Sequence, residues 1–142
     1  MDIKKDLISR LRTSGLRPTK QRIKLAEYLF NREKTFHFTV ENLNKAINKK
    51  NIEDKIALAT IYNTVHAFKK AGHLKEITIK EGKNYFDTNI SAHHHFFDEA
   101  NCELTDIESN KIEVKKIPTP PKGKSIKDIN VIINIDNDNQ NH

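Results

Sequence analysis

The sequence holds a single cysteine, Cys102, and that scarcity excludes two common ways of bracing a small domain. One thiol cannot close an intrachain disulfide, nor can it supply the CxxC pairs of a thiolate zinc clamp. No uninterrupted apolar run is long enough to span a bilayer. The opening MDIKKDLISRLRTSGL lacks the apolar core and small-residue cleavage site of a secretory signal. The expectation is a cytoplasmic protein without a membrane partner. A Gly-rich phosphate loop and a nucleophile–base pair are also missing, so catalysis is not expected.

What is present is unevenly distributed. Residues 1–85 carry 19 Lys and Arg against 9 Asp and Glu, whereas residues 86–142 carry 6 against 10, giving halves of +10 and −4. A basic half beside an acidic, histidine-bearing half suggests a polyanion-binding module joined to one that binds a cation or another chain.

Periodicity separates the same halves. Ile3, Leu7, Ile8 and Leu11 recur at helical spacing until Ser14-Gly15. Pro18 fits the first turn of a second helix, in which Ile23, Ala26, Leu29 and Phe30 mark one face through about Asn31. Thr39 can cap a third helix burying Val40, Leu43 and Ile47. After the polar stretch Lys49 to Lys55, a fourth helix with Ile61, Val65 and Phe68 ends at Gly72, and LKEITIKEGKNYFD reads as a β-hairpin turning at Glu81-Gly82. Helices two to four with this hairpin make a winged helix-turn-helix. Beyond Asp87, CELTDI, KIEVKKI and INVIINI read as strands, PTPPKGK as a stiff connector, and DNDNQNH as a frayed end. The expected fold is α+β, with a winged-helix domain over 1–87 and a small β-rich dimerisation and sensing domain over 88–142.

In a helix-turn-helix the last helix lies in the major groove with its N-terminal residues near base edges. Here those residues are Ala57, Ala59, Thr60, Tyr62 and Asn63. Tyr62 offers a ring to thymine methyls, Asn63 can hydrogen-bond a base, and the small alanines admit close approach. Arg17, Lys20 and Arg22 suit phosphate or minor-groove contacts, with Lys69, Lys70, Lys80 and Lys83 as further candidates. Any one of these residues by itself is more often core or solvated surface; their joint occurrence on one motif is what points to double-stranded DNA.

AHHHFFD, residues 92–98, concentrates the remaining reactive groups. If the segment is extended, His93 and His95 point to one side and His94 to the other. With His37, Asp87 and Asp106 the set is three imidazoles and two carboxylates, which suits Mn²⁺, Fe²⁺ or Zn²⁺. The bland alternative is a row of exposed histidines on a strand edge, with His37 a loop residue. Cys102 reads as a semi-buried structural thiol, with a redox or haem-ligand role as the alternative.

SGLRPTKQR before the second helix, LATIYNTVHAFKKAGHLKEI across the fourth helix and hairpin, YFD leading into the histidines, and the β-rich tail together give the whole chain a resemblance. It resembles the ferric uptake regulator superfamily of bacterial metal-responsive repressors. HHH followed by FF, and IPTPPKGKSIKDINVII in place of the usual helix, make it most similar to the iron response regulators, the haem-sensing branch. The resemblance implies His37, Asp87, His93, His95 and Asp106 as ligands of a regulatory metal. It implies His94 and Glu113 as parts of a further site, whose expected C-terminal histidine is replaced by the segment around Asp128 and Ile129. Asp98 and Asn101 stand where two thiolates are expected, so the structural zinc held by four cysteines cannot form. No Cys-Pro haem motif occurs, which leaves His93, His94 and His95 as the place for haem. The resemblance further implies a homodimer on an A·T-rich inverted repeat, with Tyr62 near thymine methyls and Arg17 in the minor groove; Asn63 departs from the arginine common at its position.

The expected function is an iron- or haem-responsive transcriptional regulator, mainly a repressor, of iron-homeostasis genes. The alternatives are a repressor of the same superfamily using Mn²⁺, Fe²⁺ or Zn²⁺ as corepressor and, more distantly, a metal-dependent hydrolase.

Overall fold

The computed structural model describes residues 2–49, 54–79 and 82–139, and the chain divides into two compact units, Met1–Ile90 and Ser91–His142. Sequence reasoning set its boundary at 87/88. No helix among the described residues is long and apolar enough to cross a membrane.

The first unit runs α1 (Ile3–Thr13), α2 (Lys20–Phe30), β1 (His37–Phe38), α3 (Val40–Ile47), α4 (Leu58–Lys70), β2 (Lys75–Thr78) and β3 (Asn84–Asp87). The apolar stripes meet in one core: Leu7 and Leu11 of α1, Leu25 and Leu29 of α2, Leu43 of α3, and Ile61, Val65 and Phe68 of α4. Leu25 is fully buried although the sequence pattern passed over it.

The helix ends have local causes. Thr19 and Thr39 accept hydrogen bonds from the amides of Arg22 and Asn42 and so cap α2 and α3. A cap residue must be non-helical, which puts Pro18 one position outside α2 and not in its first turn. α4 stops at Gly72, whose φ of +87° lets its amide reach the carbonyl of Lys69 while the amide of His73 reaches that of Phe68. A β-carbon would strain that left-handed turn. The entry to α4 is pinned as well, because the Asn48 amide accepts from the N–H of Ile56 and donates to its carbonyl, both at 2.9 Å.

β2 and β3 form the expected hairpin, and Gly82 has φ +75° at its turn. Glu81 and the wing residue Lys80 lie outside the described residues, as do parts of the 49–55 stretch and of the polar C-terminus. The sequence reading missed β1, which pairs antiparallel with the other edge of β3 to give the order β1-β3-β2. That register sets His37 opposite Asp87 and Phe38 opposite Phe86.

The second unit is a three-stranded sheet, with β4 (His93–Asp98) between antiparallel β5 (Glu103–Glu108) and parallel β6 (Ile132–Ile135). KIEVKKI was expected as a strand and is not one. A 3-10 turn at Ser109–Lys111 is followed by chain without regular structure up to β6. Its alternation suits a strand, but both edges of β4 are already paired and Pro118 prevents an uninterrupted ladder.

Candidate functional site

The strand registers assemble two sets of metal-type donors, one in each unit. In the first, the β1–β3 ladder places His37 Nε2 at 3.3 Å from Oδ2 of the buried Asp87. The other Asp87 oxygen accepts the amide of Asn89 at 2.8 Å, which fixes the carboxylate plane. In the second, His93 and His95 share one face of β4, their ring centroids 4.4 Å apart. Both present Nε2 to Oδ1 of Asp106, at 3.4 and 3.3 Å.

Two features distinguish these contacts from ordinary hydrogen bonds. Separations of 3.3–3.4 Å exceed the usual N–H···O range of about 2.7–3.2 Å. They fall within the spacing of two atoms on one ion, since bonds of about 2.1 Å at octahedral to tetrahedral angles put neighbouring donors about 3.0–3.4 Å apart. Also, Nδ1 of His93 lies 2.7 Å from the carbonyl of Ser91. The carbonyl only accepts, so Nδ1 carries a proton; in the neutral ring this leaves the Nε2 lone pair on the Asp106 side, the tautomer a metal ligand needs.

His94 has the opposite arrangement. On the other face of β4, its Nδ1 accepts the amide of Val131 at 3.0 Å. In the neutral ring Nε2 then holds the proton, and no lone pair is left for an ion. Glu113 lies exposed in the chain beyond the 3-10 turn.

The candidate DNA-reading residues sit on the first unit. Arg17 and Lys20 are exposed, and the guanidinium of Arg22 donates to the carbonyl of Arg17 at 3.1 Å, bracing the turn before α2. On α4, Ala57, Ala59, Tyr62 and Asn63 are exposed and Thr60 is half-buried. Tyr62 retains 44% of its surface, so it is not the core residue its aromatic character also allowed. Lys69 is paired with Glu76 at 3.1 Å, which offsets the charge proposed for a phosphate; Lys70 and Lys83 are exposed.

Compared with known proteins, residues 13–134 match the profile of the Ferric uptake regulator family. The chain belongs to that family. It is 34% identical over 98 residues to the Peroxide operon regulator of Bacillus subtilis (strain 168). That match covers 69% of this chain and 64% of the relative, so less than two thirds of the relative's length is matched. Identity to the Ferric uptake regulation protein of Bordetella parapertussis is 31% over 114 residues, covering 76% of this chain and 80% of that protein. Among solved structures, the Pseudomonas aeruginosa ferric uptake regulator with manganese superposes with a TM-score of 0.68 at 24% identity, covering 92% of this chain and 97% of that one. This likeness supports the α+β architecture of a winged helix-turn-helix with a β-rich unit.

Within this ferric uptake regulator fold, two features escaped sequence reasoning. Cys102 is exposed, not semi-buried, and has φ +56° in the turn between β4 and β5. The turn is closed by side chains, because Asp98 accepts the amides of Ala100 and Asn101 and the Asn101 side chain at 2.9 Å. The Asn101 hydrogen bonds hold the Asp98 carboxyl below the usual range. Where the resemblance expected two thiolates around zinc, a carboxylate and an amide bind each other. The second feature is His66 on α4, whose ring stacks on that of Tyr62 at 5.6 Å. A histidine one helical turn after a tyrosine was a readable signal, overshadowed by the HHH run.

Proposed function

We propose that the chain is a homodimeric transcriptional repressor whose DNA binding depends on a divalent ion, Mn²⁺, Fe²⁺ or Zn²⁺, held jointly by His37, Asp87, His93, His95 and Asp106. The observation that carries this reading is the pairing of Nε2 atoms with carboxylate oxygens at 3.3–3.4 Å in both units, with Nδ1 of His93 held by the Ser91 carbonyl. Five nitrogen and oxygen donors suit these borderline and hard ions, and no thiolate is needed. The ion supplies a cross-link: joining a ligand set on each unit, it favours one arrangement of the two by its difference in affinity between arrangements. Tyr62, Asn63 and the small Ala57 and Ala59 would read an A·T-rich inverted repeat, with Arg17, Lys20 and Arg22 on the backbone or in the minor groove.

The dimer is supported by the second unit. Phe96, Ile107, Ile112 and Ile133, with Asp106, Glu108 and Lys111, line an open pocket of about 430 Å³ in the β5-β4-β6 unit. A second copy covering such a face would bury it. Membership in a family of regulators stands against the hydrolase alternative.

Iron remains the effector suggested by the resemblance to iron response regulators. Haem has less support than a free ion, since His94, the candidate axial ligand, spends its acceptor nitrogen on Val131. The names of relatives such as the Peroxide operon regulator add peroxide as a signal to be tested on the iron-loaded form.

The test selects duplexes from a random library with purified full-length protein. It then follows binding by fluorescence anisotropy with Mn²⁺, Fe²⁺, Zn²⁺, haem or chelator, and with hydrogen peroxide added to the Fe²⁺ and Mn²⁺ forms. Tight binding to an A·T-rich dyad only with a divalent ion is expected. Equal binding in chelator, or release by metal, contradicts the corepressor reading.

A further inference from the structure

α4 carries on its exposed face an aromatic pair that the metal and phosphate chemistry leave unused. Tyr62 and His66 stand one helical turn apart, a spacing that brings side chains together on a helix. Their rings stack with centroids 5.6 Å apart and planes 27° apart. His66 also meets Phe86 edge-on, at 5.9 Å and 90°. Phe86 is 2% exposed and stacks at 5.8 Å on Phe38, its cross-strand partner. Among the described residues His66 engages rings and has no hydrogen-bond or ion-pair partner.

We propose that His66 is a positioning residue for DNA reading: it holds the Tyr62 ring in place on the face of α4 and is itself supported by the buried Phe38–Phe86 pair. The assignment rests on the DNA-reading role given to α4 above. An exposed tyrosine on a helix samples several rotamers and loses that freedom when a base contact fixes it. A ring already stacked on a supported neighbour has less to lose. His66 therefore contributes to specific binding without touching DNA, while phosphate contacts proceed without it. The support has a second consequence. Phe38 and Phe86 adjoin His37 and Asp87 in the same register, so the strand pair beneath His66 is the one that carries the first unit's donors. Whatever tightens β1 on β3 firms the base of the stack.

The experiment uses full-length wild type, His66→Ala and His66→Phe with the duplex selected above, together with NMR resonances of the Tyr62 ring in the free protein. His66→Ala should weaken specific binding about 3- to 10-fold at an unchanged salt slope, and His66→Phe, which restores a ring, should stay within about 2-fold of wild type. The Tyr62 resonances should move toward free-tyrosine values in the alanine variant and remain displaced in the phenylalanine variant. If His66→Phe is as weak as His66→Ala, the imidazole nitrogens act on DNA directly and the positioning role is wrong. Unchanged affinity or unchanged Tyr62 resonances in His66→Ala, with wild type binding normally, overturns it as well. If wild type binds no duplex while the resonances respond as expected, it is the DNA-reading role that fails, and the positioning assignment falls with it.

Discussion

In the first unit, side chains from all four helices and from β1 and β3 seal a core in which Leu25, Ala26, Ile61 and Phe68 reach zero exposure. In the second, the buried hydrophobics among the described residues are Phe97 and Ile107, and they share the interior with His93, His94 and His95. Ile133 and Ile135 of β6 keep 38% of their surface, and Val114, Ile117 and Ile126 keep more. A unit that buries aliphatic side chains stabilises itself by packing. One that buries imidazoles and leaves isoleucines exposed gains less from packing alone. Under the proposed function, the contrast is between a part that reads and a part that responds.

The first unit's core should show the largest loss. Phe68→Ala should cost about 3–5 kcal/mol in denaturant unfolding, because the side chain is fully enclosed and its neighbours cannot all collapse into the space. A loss below about 1 kcal/mol would mean that this core is not self-sufficient.

A charge on the uncovered face of the second unit tests the other side. Ile133→Asp should convert a dimer to a monomer in sedimentation at micromolar concentration while leaving the far-UV signature of the helical unit unchanged. A dimer that survives the substitution locates its interface elsewhere.

The smallest effect concerns a histidine that packs and stands outside the proposed ligand set. His73 lies 8% exposed with Nε2 at 2.7 Å from the Ser14 hydroxyl, tying the end of α4 to the end of α1. Burial, and then the nearby Arg10 charge, lower its pKa below the ordinary 6.5. The unfolded chain therefore takes up this proton first as pH falls. The neutral ring's stability is fully present above 6.5 and declines below it, until the folded-state pKa is passed. His73→Gln should flatten the fall in melting temperature between pH 7 and pH 5; an identical slope in both proteins would remove His73 as its source.

Much of the first unit was legible because its signals are local. Thr39 is a cap wherever a helix follows it, and Gly72 tolerates the left-handed turn that ends α4. β1 was not legible, since two residues display no period and the strand exists only through its pairing with β3. Sequence reasoning grouped His37 with Asp87 as ligands, but only the strand register shows how the two side chains come together. The alternation of His93, His94 and His95 was readable, but the Val131 amide that occupies His94 comes from 37 positions away and left no sequence signal. KIEVKKI failed for the converse reason: its pattern is that of a strand, and pairing decided otherwise. Cys102 was judged by residue type, whereas the turn closed by Asp98 and Asn101 exposes it.

Whether one ion draws ligands from both units is decided by calorimetric titration of Mn²⁺ into metal-free wild type, His37→Ala and His95→Ala. One strong site per chain is expected in wild type, and either substitution should weaken that site by more than about 10-fold, the scale on which even outer-shell partners act. Wild-type affinity in His37→Ala, with loss confined to His95→Ala, would show an ion held by the second unit alone and would contradict a shared site.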